Sequence, residues 1–215
     1  MSGMLIAVMD LSRPWAPIRS ALDMEVVRVL RGTTRQLTGR EVARLVRTGS
    51  QPAVNASLRR LAEEGVLRAE EAGSAYLYTL NREHLATAAL ELLADIRAEL
   101  ERRLRAEIGA WDIAPSHASI FGSATRGDGD RQSDIDLFVV RPRGVSADDP
   151  RWRAQLDQLA ERIHSWTGNR LGLSEVSTTD VPRLRREHPP IVEELRGDAV
   201  TLVGPPPTEL FRAAK

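Results

Sequence analysis

Ser119-Ile120-Phe121-Gly122-Ser123-Ala124-Thr125-Arg126-Gly127, followed after a short Arg/Gly/Asp-rich segment by Ser133-Asp134-Ile135-Asp136-Leu137-Phe138-Val139-Val140, decides the fold. An apolar run stops at Gly-Ser, and a second, strand-like run carries two carboxylates. Asp134 and Asp136 are two residues apart, so in a strand they project from one face while Ile135, Leu137 and Val139 line the other. Two unpaired acids side by side repel, which makes them unsuited to a core. They make sense around a divalent cation. Gly122 has no side chain to keep a phosphate from the backbone of the turn. Metal-binding acids facing a phosphate-binding turn are equipment for phosphoryl or nucleotidyl transfer.

The pattern Gly122-Ser123, ten residues, then Asp134-Ile135-Asp136 with apolar flanks resembles the signature of the polymerase-beta-type nucleotidyltransferase superfamily, above all its minimal domains. Spacing, acid doublet and flanks must agree together, so the signal is more specific than a lone glycine-rich loop. The resemblance implies transfer of an NMP group from a nucleoside triphosphate to an acceptor hydroxyl. Two Mg²⁺ ions, with Mn²⁺ as a substitute, are expected between Asp134 and Asp136. A third acid completes such sites from an adjacent strand, and the resemblance places it at Glu175, with Asp180 as the next candidate. Ser123 and the backbone after Gly122 are expected to hold the β- and γ-phosphates. Arg126 would neutralise charge building on pyrophosphate, with a salt bridge to Asp128 or Asp130 as the competing use. Ser133 adjoins the acid pair and is a further phosphate ligand.

With 42% hydrophobic and 28% charged residues, the 215-residue chain has a globular composition and room for one large or two small domains. Formal net charge is zero, so there is no blanket attraction to nucleic acid. The distribution is uneven: Arg13 to Arg82 holds twelve Arg against seven acids, which leaves a basic front and an acidic rear. Absence of Cys excludes disulfides and thiolate metal sites. The four His are scattered, so a histidine zinc site is not expected. The apolar run Met4–Met9 is too short to span a membrane, and a cytoplasmic protein is expected.

Residues 1–19, with Pro14, Trp15 and Pro17, read as an arm. Leu22, Val26, Val29 and Leu30 then repeat at helical spacing up to Gly32. Thr38 with Glu41 forms a capping box for a second helix carrying Val42, Ala43, Leu45 and Val46, ended by Gly49. Ser50 and Pro52 open a third, with Val54, Leu58 and Leu61 buried and Gly65 as its stop. Val66–Arg68 and Ala75–Leu80, joined through Gly73-Ser74, make a β-hairpin. Three helices and a hairpin over residues 20–82 resemble the winged helix-turn-helix of bacterial transcription regulators. That likeness implies DNA contact by the third helix, through Gln51, Asn55, Arg59 and Arg60, with Ser57 beside them. Glu70 and Glu71 on the hairpin oppose phosphate contact, so weak binding, binding only as a dimer, or a protein-interaction role stays open.

Leu85, Ala88, Leu92, Ile96, Leu100, Leu104, Ile108 and Trp111 form one stripe, read as a linker helix over 83–113 that packs on both domains or forms a homodimer seam. Asp149-Pro150 starts a helix buried through Trp152, Leu156, Leu159, Ile163 and Trp166. Leu171–Val176 is a strand, Val181–Glu187 and Ile191–Arg196 are short helices, and Ala199–Val203 is the last strand before a Pro205-Pro206-Pro207 tail. The expected fold class is α+β: an N-terminal winged helix-turn-helix, a long linker helix, and a C-terminal small mixed β-sheet nucleotidyltransferase core with flanking helices over 114–215.

Two functions follow. The first is a Mg²⁺-dependent nucleotidyltransferase acting on an RNA end, a protein side chain or a small molecule. The second is a DNA-binding regulator whose nucleotidyltransferase-like domain senses nucleotide with little turnover. Intact Gly-Ser and Asp-Ile-Asp favour the first.

Overall fold

The elements gather into two units, Met1–Ile96 and Arg97–Lys215, in the computed structural model. Residues 11–126 and 133–212 are described; Met4–Met9, Asp128 and Asp130 lie outside them.

The first unit runs α1 (Ala21–Arg31), β1 (Leu37–Thr38), α2 (Gly39–Leu45), α3 (Gln51–Glu63), β2 (Leu67–Ala72), β3 (Ala75–Leu80) and α4 (Leu85–Ala94). Thr38 caps α2 reciprocally: its hydroxyl accepts the Glu41 N–H at 3.3 Å, and the Glu41 carboxylate accepts the Thr38 N–H at 2.8 Å. Val26, Leu30, Val42, Val54, Leu58 and Leu61 close the core with Leu67 and Leu80 from the hairpin. Leu45, expected inside, is 54% exposed because α2 stops there and Val46 turns extended. The two residues of β1, too short for any periodic signal, pair with β3 and give a sheet of order β1-β3-β2.

Beneath this core lies a buried charge. Asp23 is fully buried and accepts the Arg19 N–H at 2.8 Å, the Ser20 N–H at 2.9 Å, the Ser57 hydroxyl and the Arg60 guanidinium. Burial opposes its ionisation, yet the hydrogen bonds and the Arg60 charge outweigh that and hold the carboxyl below the usual range. Two residues expected on the open face of α3 are therefore turned inward: Ser57 is buried, and Arg60 is spent on Asp23.

A single linker helix is not what forms. The segment breaks at Asp95, between α4 and α5 (Ile96–Gly109). The Asp95 carboxylate is drawn to Arg31 of α1 at 2.6 Å, a partner remote in sequence. The stripe divides accordingly, with Leu90 buried in the first core and Leu104 and Ile108 in that of the second unit.

The second unit continues with β4 (His117–Phe121), α6 (Ser123–Arg126), β5 (Ile135–Arg141), α7 (Pro150–Thr167), β6 (Leu171–Ser177), α8 (Val181–Glu187), α9 (Pro190–Asp198), β7 (Val200–Val203) and α10 (Pro207–Leu210). The sheet order is β6-β5-β4-β7, with β5 and β6 parallel and the other pairs antiparallel. Strand alternation gives it two cores. Ile120, Leu137 and Val139 meet Leu104 and Ile108 of α5 and Trp152, Leu156 and Leu159 of α7. Phe121, Phe138 and Val140, on the other face, meet Val181, Val192, Leu195 and Phe211.

The C-terminal tail, read from its prolines only as unable to continue a strand, forms α10 and buries Phe211 completely. His117 fastens it. The Pro205 carbonyl can only accept, so Nδ1–H donates to it at 2.9 Å, leaving Nε2 to accept the Ser119 hydroxyl at 3.0 Å. No helix among the described residues is long and apolar enough to cross a membrane.

Arg60→Ala leaves the Asp23 carboxylate buried without its cation, a loss expected to cost about 3 kcal/mol. Arg59→Ala, at an exposed position of the same helix, is expected to change stability by less than about 0.5 kcal/mol. Chemical denaturation of both variants checks the contrast, and equal stabilities would show that the Asp23 network carries no weight.

Candidate functional site

The acids stand on the face of the sheet that carries the smaller core. Asp136 lies opposite Phe121 on β4 and Gly172 on β6. Asp134 directly precedes β5 and is exposed, whereas Asp136 is half-buried. Gly122 ends β4 with φ of 73°, a left-handed conformation natural to glycine.

What fixes Asp136 is the absence of side chains on either side of it. A Cβ at Gly122 would lie 2.7 Å from one carboxylate oxygen, and a Cβ at Gly172 would lie 2.5 Å from the other. Real Cβ atoms do not come that close, so the carboxylate is cradled between two stretches of backbone that only glycine leaves open. The sequence marks Gly122 through its Gly-Ser turn. Gly172 reads there as a weak strand residue, and its role emerges only from the β5–β6 register.

Charge around this carboxylate is unbalanced. Burial, Asp134 and Glu194 of α9 all raise the Asp136 pKa, and among the described residues Arg126 opposes them. Glu194 was not anticipated from the sequence. It shares a face of α9 with Asp198, four residues on, and Asp198 in turn holds Arg126 at 3.1 Å. Arg126 thus has a partner on α9; Asp128 and Asp130, its expected competitors, are outside the described residues.

Ser123 opens α6, a single turn whose Thr125 hydroxyl donates to the Gly122 carbonyl at 2.8 Å. Ser133 precedes the acid pair, and its carbonyl accepts the Asn169 amide at 2.8 Å, tying the entry of β5 to the start of β6. Gly122, Ser123, Arg126, Asp134 and Asp136 are therefore gathered at one end of β4 and β5, with Ser133 next to them.

Glu175 is not. It pairs with Val139 on the parallel strand, one residue out of phase with Asp136, and so faces the opposite side of the sheet. There its carboxylate accepts from Arg141 and from the Trp152 indole at 3.0 Å, with Arg153 3.7 Å away. It is a structural anchor between β5, β6 and α7, and the expected third metal acid is not at this position. Asp180 is equally committed: it accepts the Ser177 hydroxyl at 2.6 Å and the Ser177 N–H at 2.9 Å, bonds that keep its pKa low, and it pairs with Arg183. On the acid face β6 offers Gly172 and Ser174 instead. Among the described residues no three His, Asp or Glu side chains close on one metal position.

The residues present nevertheless fit a hard divalent cation. Two carboxylates on one face, a carboxyl raised by burial and by neighbouring acids, and backbone free of side chains leave room for water and phosphate oxygens to complete an oxygen shell.

On α3, Gln51 and Arg59 are exposed, while Asn55 is half-buried with its side-chain oxygen in the space a Cβ on Gly39 would need. These three line an open cleft of about 430 Å³ with Tyr76 and Tyr78. Nearby on the hairpin, Glu70 accepts from Gln36 and Glu71 from Tyr76.

A family model described as a nucleotidyltransferase domain matches residues 97–213, more than half of the chain. Among solved structures, a crystal structure of the toxin-antitoxin MntA-HpeT mutant is 18% identical over 52% of this chain and 79% of its own, with a TM-score of 0.36. A crystal structure of the toxin-antitoxin with AMP-PNP is 20% identical over the same shares, with a TM-score of 0.35. None of the curated proteins compared matches the chain.

A cation at this site requires ionised Asp136. Mn²⁺ affinity, followed by electron paramagnetic resonance, is expected to fall as pH drops through the raised Asp136 pKa, and Asp136→Asn should weaken it at least about tenfold. Without metal the sign reverses. The folded state holds the Asp136 proton more tightly than the unfolded chain, so ionisation erodes stability as pH rises past the ordinary carboxylate range. Asp136→Asn should then raise the metal-free melting temperature at neutral pH. Unchanged Mn²⁺ affinity in that variant would remove Asp136 from the site.

Proposed function

The chain belongs to the nucleotidyltransferase domain family, and we propose that it binds a nucleoside triphosphate with Mg²⁺ and transfers the NMP group to an acceptor hydroxyl. The observation that carries this reading is the Asp136 carboxylate, held between the Gly122 and Gly172 backbones beside Asp134, with a pKa raised by burial and by the neighbouring acids. Such a carboxylate is costly to the fold and useful to a cation.

Asp134 and Asp136 would hold the metal, with one ion or two depending on how many oxygens the substrate brings. Bound there, the cation supplies charge for the triphosphate oxygens and for the attacking hydroxyl. The chain's own groups position the rest. Ser123 and the backbone after Gly122 receive the β- and γ-phosphates, with Ser133 beside them. Arg126 exchanges Asp198 for phosphate and balances charge on departing pyrophosphate. Nucleoside triphosphates place this work in the cytoplasm. The acceptor is an RNA end, a protein side chain or a small molecule.

A second reading is favoured by β6. Gly172 and Ser174 stand on the acid face where a third carboxylate would be needed, and Glu175 is turned away. Among the described residues the strands bring only these two acids to the site, which suits metal–triphosphate binding without a strand-borne group to take the proton of an attacking hydroxyl. That equipment suits a sensor that binds nucleotide with little turnover. In this reading the first unit supplies the output. Its order of elements, α1-β1-α2-α3-β2-β3, supports a winged helix-turn-helix. Gln51, Asn55 and Arg59 would meet DNA from α3. Arg60 is withdrawn from that set by Asp23.

Calorimetry with Mg²⁺ and each nucleoside triphosphate should show metal-dependent binding that Asp136→Asn abolishes; a parent protein without such binding would sink both readings. Incubation with triphosphate radiolabelled at the α-phosphate and a cell extract separates them. Label transferred to a macromolecule or small molecule supports the transferase, and binding without any transfer supports the sensor. For DNA, gel shifts against fragments around the protein's own gene should show a salt-sensitive complex that Arg59→Ala weakens about tenfold. Equal binding by that variant would exclude base readout by Arg59.

A further inference from the structure

Helix α4 is apolar on every side. Leu90 and Thr87 are buried against the first unit, while Leu85 at 77%, Leu92 at 73% and Leu93 at 58% face solvent. Its one charged residue, Glu91, is occupied by Arg82 at 2.9 Å. A helix with no polar face is normally covered on all sides. The chain before α1 enlarges the exposed surface: Leu11 and Trp15, 73% and 69% exposed, line an open groove of about 660 Å³ together with Leu85 and Leu93.

These side chains, with Ile96 at 65% just beyond Asp95, leave roughly 700–900 Å² of apolar surface, against 300–600 Å² for the largest patch of an ordinary monomer. The figure matches the ~800 Å² that each partner contributes to a standard interface.

We propose that this face binds a second copy of the chain, α4 against α4, to form a two-fold dimer. The spacing favours a like helix as the occupant. Leu85, Ala89 and Leu92 recur at four and three residues, the interval of a helix–helix seam, and Leu93 flanks it. A two-fold axis sets the same patch against itself, which an uncharged patch permits without repulsion. Antiparallel packing about Ala89, at the middle of α4, brings Leu85 of one copy near Leu92 or Leu93 of the other. The Leu11–Trp15 side of the groove then flanks the seam. The contact rests on the first unit alone and stands whether or not the carboxylate site turns over.

Sedimentation velocity of the full chain over roughly 1–100 µM, where interfaces of this size associate, is expected to show a species of twice the 23.8 kDa chain mass. Leu92→Glu with Leu93→Glu should give a monomer with the parent's circular dichroism and melting temperature, because both positions are exposed. The chain contains no Cys, so Ala89→Cys provides a single thiol, expected to form an intermolecular disulfide under mild oxidation. A parent of 23.8 kDa at every concentration, a dimer that persists in the double Glu variant, or a dimer in which Ala89→Cys does not cross-link would each overturn the proposal. So would a monomeric parent that dimerises on deletion of residues 1–10, since the chain's own leading segment would then be the cover.

Discussion

The packing of one carboxylate against two side-chain-free backbones governs the second unit. Asp136 can stand where it does only because β4 ends in a left-handed glycine and β6 presents a glycine opposite it. Either position filled by a methyl would push the carboxylate aside. The cradle also needs three strands in register, since it joins the end of β4, Asp136 near the start of β5 and Gly172 near the start of β6. The apolar faces of those strands supply that register. Leu137, Val139 and Ile120 lock against α5 and α7, and a one-residue slip would send them to the wrong side. The hydrophobic core thus sets the precision of the polar site.

The other face depends on residues far from the acids in sequence. Phe138 and Val140 need a cover, and α8, α9 and the tail provide it through Val181, Val192, Leu195 and Phe211. His117 secures the tail by donating to the Pro205 carbonyl. Burial keeps its pKa low, so the neutral tautomer that makes the bond is the one the fold favours. Because α9 is pinned here, Glu194 and Asp198 stand beside α6, and Arg126 has its partner. The last forty residues therefore shape the charge felt by Asp136 without belonging to the opening sequence pattern.

How much was legible follows from which constraints are local. The acid pair, the Gly122-Ser123 turn, the Thr38–Glu41 cap and the Asp149-Pro150 helix start are each written within a few residues, and all appear where periodicity and capping chemistry put them. Glu175 failed for a reason that no local reading contains. Its side follows from parity with Asp136 across two parallel strands, and its partner Arg141 stands 34 positions away in the chain. The break in the linker helix was equally illegible: it falls at Asp95, which pairs with Arg31, 64 positions earlier. Arg60 and Ser57 looked like groove-facing residues by spacing, and a buried Asp23 took both. A signal did exist there: Ser20 and Asp23 stand at capping-box spacing at the start of α1, and an acid in that position invites cations and hydroxyls.

The arrangement carries a conflict between folding and binding. Asp136 is raised by burial and by two acids, so its ionised form, the one a cation needs, is the form the fold resists. Proteins retain such unfavourable groups where a ligand restores the balance. Glu175 shows the opposite solution on the other face of the sheet: an acid of the same charge, satisfied by Arg141 and Trp152. The two carboxylates define the site by contrast. One is stabilised by its neighbours and holds β6 to α7; the other is half-buried beside two acids on open backbone, the setting in which the proposed cation would relieve it.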